Sequence, residues 1–185
     1  QGTGDTDLDK ARIGDPFVVW DEDNNCYRMF YWSMSEDGTK FYNLDAIADS
    51  PYGVWQKREM NLANDSSTLR LKFTLLVDVY GNPVKINNKY HAYVDGGDSI
   101  YHWETDNMNN KWTETGVVLS ANFANNGSDA YYCGAPSAIY DNGTVYIFYM
   151  ASPLTSQSDF GFAIRINRAI SSSTSGGFTY NGCAC

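Results

Sequence analysis

Two histidines, four cysteines and several tight acidic clusters are the residues of this chain whose types and spacing bear on chemistry. A Ser-His-Asp triad would have to use His91 or His102. Both lie in aromatic, β-branched runs with no Gly-x-Ser-x-Gly elbow beside them, so they read as strand residues. Cys26, Cys133, Cys183 and Cys185 form an even set. Cys183-Ala184-Cys185 lacks the Cys-x-x-Cys spacing of a zinc knuckle, which leaves disulfides in one of three pairings, or buried thiols. Cys183 and Cys185 sit too close for an easy mutual bridge. The run Asp21-Glu22-Asp23-Asn24-Asn25 carries the carboxylate and amide oxygens that suit Ca²⁺, but without the spacing of a calcium loop it reads first as a solvated hairpin tip. Asp95-Gly96-Gly97-Asp98 reads the same way, as a turn first and a cation site second. There is no phosphate loop and no dinucleotide fingerprint, and no cofactor is expected.

Aromatic rings are the other chemical resource. The chain holds 14 Tyr, 5 Trp and 9 Phe, together 15% of its residues. Most of those in strands belong to a core, yet an indole also stacks on the apolar face of a sugar ring. Trp32 and Trp103 are the candidates for ligand contact, because each neighbours an aromatic that supplies the core face instead. Alternation puts Tyr31 and Trp32 on opposite faces of their strand.

The elements that must position these residues repeat. Phe17-Val18-Val19-Trp20 turns through residues 21–25 into the run from Cys26 to Trp32. Phe41 to Ala48 follows, then Val54-Trp55-Gln56-Lys57 after the breaker Asp49-Ser50-Pro51-Tyr52-Gly53. In a second unit Val84-Lys85-Ile86 turns at Asn87-Asn88 into the run from Lys89 to Val94, with Ser99 to Glu104 and Trp112 to Thr115 beyond. In a third, Ser137 to Tyr140 turns at Asp141-Asn142-Gly143 into the run from Thr144 to Met150, before Phe160 to Ala169 and Gly177 to Tyr180. Tyr31, Tyr93 and Tyr149 recur at steps of about 60 residues, longer than the commonest propeller blade. The expectation is an all-β, β-propeller-like chain of three four-stranded antiparallel blades, at about 14–60, 74–116 and 134–181, forming one domain over 1–185. A β-sandwich is the alternative.

Composition narrows the partners. With 13 Lys and Arg against 22 Asp and Glu, the formal charge is −9, which repels phosphate backbones and argues against nucleic acid. No apolar run approaches the ~20 residues of a membrane span. The balance suits an exported, extracellular or surface-exposed protein. Sequons begin at Asn64, Asn126 and Asn142, of which Asn142-Gly143 reads more strongly as a hairpin turn.

Three stretches carry a family resemblance. Gly14-Asp15-Pro16-Phe17-Val18-Val19-Trp20, Tyr27-Arg28-Met29-Phe30-Tyr31 and Ala48-Asp49-Ser50-Pro51-Tyr52-Gly53-Val54-Trp55 resemble the first blade of the five-bladed glycosidases, the glycoside hydrolases of family 43 and their relatives in families 32, 62, 117 and 130. Gly134-Ala135-Pro136-Ser137 with Val145 to Ser152, Arg168 to Ser171 and Ser175 to Phe178 is similar to a later blade. Inverting hydrolysis needs a carboxylate base for water and a carboxylic acid for the leaving oxygen. The resemblance implies Asp15 as the base. It places the acid, a Glu opening a later blade, where Gly134 stands, and a glycine transfers no proton. Asp78 is the nearest match for a third, tuning carboxylate, although no Pro follows it. Asp129, just before Tyr131-Tyr132-Cys133-Gly134, is the candidate to fill in as the acid, although its spacing is not the family's.

Two further departures bear on function. Five blades of this size need roughly 300 residues, and three blades leave open sheet edges that proteins cover. The expectation is therefore a carbohydrate-active type of propeller module that binds a glycan or oligosaccharide with weak or no catalysis, its open edges covered by self-association or a further chain. The alternatives are a non-catalytic structural or assembly subunit of a surface, filament or virion, and a fragment of an active inverting glycosidase.

Overall fold

The computed structural model describes residues 12–39, 41–60, 72–124, 129–153 and 164–183. Thirteen strands and no helix are found among them. β1 (Arg12–Asp21), β2 (Cys26–Met34), β3 (Phe41–Ala48) and β4 (Gln56–Glu59) form an antiparallel sheet in chain order, the first blade. The second blade is β5 (Phe73–Val77), β7 (Lys89–Asp95), β8 (Ser99–Thr105) and β9 (Thr113–Ser120), with the short β6 (Lys85–Ile86) paired to β7. The third is β10 (Tyr132–Asp141), β11 (Thr144–Ser152), β12 (Arg165–Ser171) and β13 (Thr179–Cys183). The tight turns fall on asparagines with left-handed backbone: Asn25, Asn87, Asn88 and Asn142, with φ between 46° and 62°. Asparagine tolerates that region where most side chains do not. Of the sequons, only Asn142 lies within the described residues, on the β10–β11 hairpin.

Two details differ from the sequence reading. The second blade opens on β5, not on Val84-Lys85-Ile86, because Phe73, Thr74, Leu75 and Leu76 are all buried and take the central place. The second and third blades also share one sheet. Their inner strands pair in parallel, Leu76 opposite Ala138 and Val77 opposite Ile139. The first blade stays a separate sheet.

Cores form where blades face one another. Phe30 and Phe73 stack at 4.8 Å, and Trp112 meets both edge-on, in a cluster with Val19, Leu75 and Trp103 between the first and second blades. Leu76, Tyr93, Ile100, Leu119, Ile147 and Tyr149 fill the seam between the second and third. Each such side chain removed from water contributes about 1.5–3 kcal/mol. The two outward faces of the arc are apolar as well. On the first blade Ile13, Val18 and Trp20 are 54%, 47% and 40% exposed, beside a cluster of Tyr31, Leu44 and Ala46. On the third, Ile139, Tyr146, Phe148, Met150 and Ile170 are half-buried.

A polar clamp joins the first blade to the second. The fully buried Arg28 donates to Asp21 at 2.8 Å, to Asp45 and to the Asn109 side-chain oxygen at 2.7 Å. Arg58 reaches the same Asp45 at 2.7 Å, and Asn24 bridges Asp21 to Asn107. The acidic turn thus has cations of its own: Asp21 holds Arg28, and Asp23 pairs with Lys85 at 2.6 Å. Among the described residues no group of three or more His, Cys, Asp or Glu is arranged to hold a metal. The anticipated disulfides do not form there either: Cys26 and Cys133 are buried thiols in different blades. Cys183 is exposed, its thiol facing the Ile166 carbonyl at 3.3 Å. Cys185 lies outside the described residues.

Candidate functional site

β1 and β10 are built alike. In each, the register with the next strand slips at a bulge, between Gly14 and Phe17 in one and between Gly134 and Ser137 in the other. In each the middle residue is left-handed, Asp15 at φ 49° and Ala135 at φ 46°, and proline follows. Bulges re-aim a side chain at the rim of a sheet. Here the matching pieces are Gly14-Asp15-Pro16 and Gly134-Ala135-Pro136. The first bulge presents a carboxylate and the second presents a methyl group.

Asp15 is exposed at this end of β1, and its Oδ2 accepts a hydrogen bond from Trp32 Nε1 at 2.8 Å. Trp32, one residue beyond the buried Tyr31 of β2, lies directly over Gly14. A Cβ on that glycine would stand 2.7 Å from the indole nitrogen. The glycine therefore makes room for the ring that fixes the carboxylate. The far edge of Trp32 packs on Phe41 with ring centroids 5.9 Å apart. Gly14 and Pro16 also line a groove of about 320 Å³ on the outer face of the first blade, with Met29, Tyr31 and Trp55.

The other residues singled out lie elsewhere. Trp103 is 2% exposed within the core between the first two blades. Asp78 follows β5 and caps a turn, its Oδ1 accepting the amides of Tyr80 and Asn82 at 2.9 and 2.8 Å. The Asn82 side chain and amide hold this carboxyl below its ordinary range. The parallel register sets Asp78 level with Tyr140, at the opposite end of the inner strands from Gly134. Asp129 is fully buried and accepts from the Ala124 amide at 2.9 Å and the Tyr149 hydroxyl at 3.0 Å. His91 and His102 are buried and bonded to each other at 2.9 Å. Asp15 and Trp32 are thus brought together, whereas Asp78, Asp129 and Trp103 are not joined to them.

Sequence reasoning missed Asp95 and Tyr132. Asp95 ends β7 and is 2% exposed. Its Oδ2 accepts from the Tyr132 hydroxyl at 2.6 Å and the Ala135 amide at 2.7 Å, and its Oδ1 from the Gly97 amide at 2.7 Å. A Cβ at Gly134 would overlap the Tyr132 hydroxyl and stand 2.6 Å from Asp95 Oδ2. Burial first, then the Asp95 carboxylate, push the Tyr132 phenol well above its usual range, and Asp15 adds to this. The only signal in the sequence was the Asp-Gly-Gly-Asp turn, which says nothing of a partner forty residues away.

These inner-strand bulges, with blades packed face to face, define a three-bladed β-propeller arc. No protein-family model and no curated protein matches the chain. Solved structures do. A glycosyl hydrolase from Bacteroides ovatus is 15% identical with a TM-score of 0.71, covering 97% of this chain and 53% of that one. An endo-arabinase from Bacteroides thetaiotaomicron is 17% identical with a TM-score of 0.70, over 99% of this chain and 66% of the other. A family 117 glycoside hydrolase of the marine bacterium Zobellia galactanivorans is 16% identical with a TM-score of 0.65, over 91% and 54%. The chain shares the propeller fold of these structures and spans between 53% and 66% of their length.

Proposed function

We propose that this chain is a glycan-binding module of the glycosidase propeller type, with weak or no hydrolysis of its own. One observation carries the reading: Asp15 and Trp32 offer an exposed carboxylate and a ring at the end of one inner strand, while the matching bulge of the third blade bears no carboxylate. Asp15 is the water-activating base in this reading, and Trp32 the sugar-stacking ring. Asp78 and Asp129, occupied by their own turns and by Tyr149, serve the fold, and Trp103 serves the core. An extracellular or surface setting suits such a module. Without a general acid the leaving oxygen departs unprotonated, which forfeits about 10²–10⁴-fold in rate. Nitrophenyl arabinofuranoside and xyloside need less acid help than natural oligosaccharides. The expected result is slow release of nitrophenol, abolished in Asp15→Asn, with natural oligosaccharides uncleaved. Cleavage of the oligosaccharides at ordinary enzyme rates would sink the reading and favour an active inverting glycosidase.

The outward faces favour a second reading, a structural or assembly module. Ile13, Val18 and Trp20 on one side and Phe148 and Ile170 on the other form apolar surfaces of the kind that blades bury against one another. Another copy or another chain would cover them, and self-association is the expected behaviour. Sedimentation at rising concentration should show species above 20.7 kDa, weakened by Val18→Lys combined with Phe148→Lys. A monomer that stays soluble at high concentration contradicts it.

A further inference from the structure

The repeat puts the first and third blades in one register. Matching the bulge at Gly14 to that at Gly134 sets Met29 and Tyr31 of β2 on Ile147 and Tyr149 of β11. On the next two strands it sets Ala46 on Ala169 and Trp55 on Phe178. In the third blade these four positions are buried with Leu76, Tyr93 and Ile100 of the second, and Phe178 meets the Tyr93 ring edge-on at 6.2 Å. In the first blade the same four line the open groove of about 320 Å³, and Val18, the counterpart of the buried Ala138, is 47% exposed. The groove is thus one half of a seam that the chain already builds once.

The third blade's outer face is formed as the other half. Its Phe148 and Ile139 are the counterparts of Phe30 and Val19, which are buried between the first two blades. Arg168 takes the place that Asp45 has in the clamp. It donates to Asn181 and meets no carboxylate among the described residues. The clamp closes on Asn107 and Asn109, in the turn between the third and fourth strands of the next blade. The corresponding turn of the first blade, 49–55, opens on the exposed Asp49, opposite in sign to Arg168.

We propose that the partner on these faces is a second copy of this chain, docked head to tail. The first blade of one copy takes the third blade of the next, with Phe148 in the place that Tyr93 holds against Phe178 and Arg168 toward Asp49. The inference rests on the assembly reading above and adds the partner and the direction. Like face on like would instead leave Arg168 and Asp49 on separate interfaces, each without its opposite charge.

The test is sedimentation of the full chain, two single-face variants and their equimolar mixture. Val18→Lys blocks the first face and Phe148→Lys the second. Each variant alone should self-associate at least about tenfold more weakly than the native chain. The mixture still holds one intact face of each kind, so it should form pairs of twice 20.7 kDa and nothing larger. If Phe148→Lys does not fold, Ser137→Arg, at an exposed position of the same face, replaces it. Self-association of either variant alone at native strength means that like faces pair, which overturns this inference and leaves the assembly reading standing. A mixture that stays monomeric does the same. A native chain that stays monomeric, its faces left to other blades, overturns both.

Discussion

Replacing Asp45 with alanine should unfold this protein at a temperature well below that of the native chain. Asp45 is 2% exposed and binds two guanidinium groups, those of Arg28 and Arg58. Arg28 has no exposed surface, so loss of Asp45 strands a cation where water cannot reach it. Breaking one side of a buried ion pair costs about 3–5 kcal/mol, because the remaining charge goes uncompensated. For a domain of this size that corresponds to a fall in Tm of roughly 6–20 °C. Asp21, still 2.8 Å from Arg28, softens the loss and argues for the lower half of the range. The control is Arg28→Met with Asp45→Leu, which removes both charges together. That variant should be far closer to native than Asp45→Ala alone, since a buried pair exchanged for apolar groups is often neutral. Thermal melts that rank the two variants the other way would show that the clamp does not hold the first blade to the second.

The clamp also shows how far the sequence could be read. The arginine at position 28 lies in a run of aromatic and apolar residues, where alternation predicts an apolar side chain on the face that meets the second blade. Its partners stand at positions 21, 45 and 109, in three separate elements. No local pattern brings those together. The turns were legible because Asn87-Asn88 and Asn142-Gly143 act within two residues, through their own backbone. The inner strands were legible where a short motif marked them, as Asp15-Pro16 and Ala135-Pro136 do. The second blade is expected to begin near residue 74, where β5 lies, but β5 is not spelled out as a strand because it has no such marker, only a continuous buried apolar run that periodicity alone does not assign to strand or helix. Trp32 and Trp103 show the same limit. Alternation separated each from its neighbour, but which face becomes core depends on the blade packed against it. The second blade covers Trp32's strand lower down and leaves its end open, whereas Trp103 is enclosed from both sides.

Mild acid should destabilise the chain well before its carboxylates are protonated. His91 Nε2 lies 3.1 Å from the Ile86 carbonyl, which can only accept, so this nitrogen carries the hydrogen. His91 Nδ1 is then the acceptor for His102 Nε2 at 2.9 Å, and His102 Nδ1 accepts from Thr115 Oγ1 at 2.6 Å. Both rings are neutral in this chain of bonds, and each has a partner at both nitrogens. Burial is the main reason both pKa values fall: His91 goes down, and His102, further disfavoured by its neighbour His91, goes down to about 4. Glu104 pulls the other way but is paired with Lys89, which cancels part of its effect. Tyr93, whose ring lies 5.5 Å from His102, brings no charge. The unfolded chain takes up protons near pH 6.5 that the folded chain refuses, so folded stability rises with pH across this window. It is complete above about pH 6.5 and declines progressively down to about pH 4, where His102 finally protonates in place. For His102 alone the difference amounts to ~3 kcal/mol, and His91 adds to it in the same direction. Asp78 and Asp106, whose carboxyls are lowered by neighbouring asparagines, lose their contributions only below that range. Melting temperatures from pH 7.5 to pH 4 should therefore fall most steeply between 6.5 and 4 in the native chain. In His102→Gln, whose amide keeps a donor toward His91 Nδ1 and does not titrate, the slope should flatten by more than half. A native chain with a flat profile over this window, or a glutamine variant with the same slope, would show that the pair is not the proton-linked element.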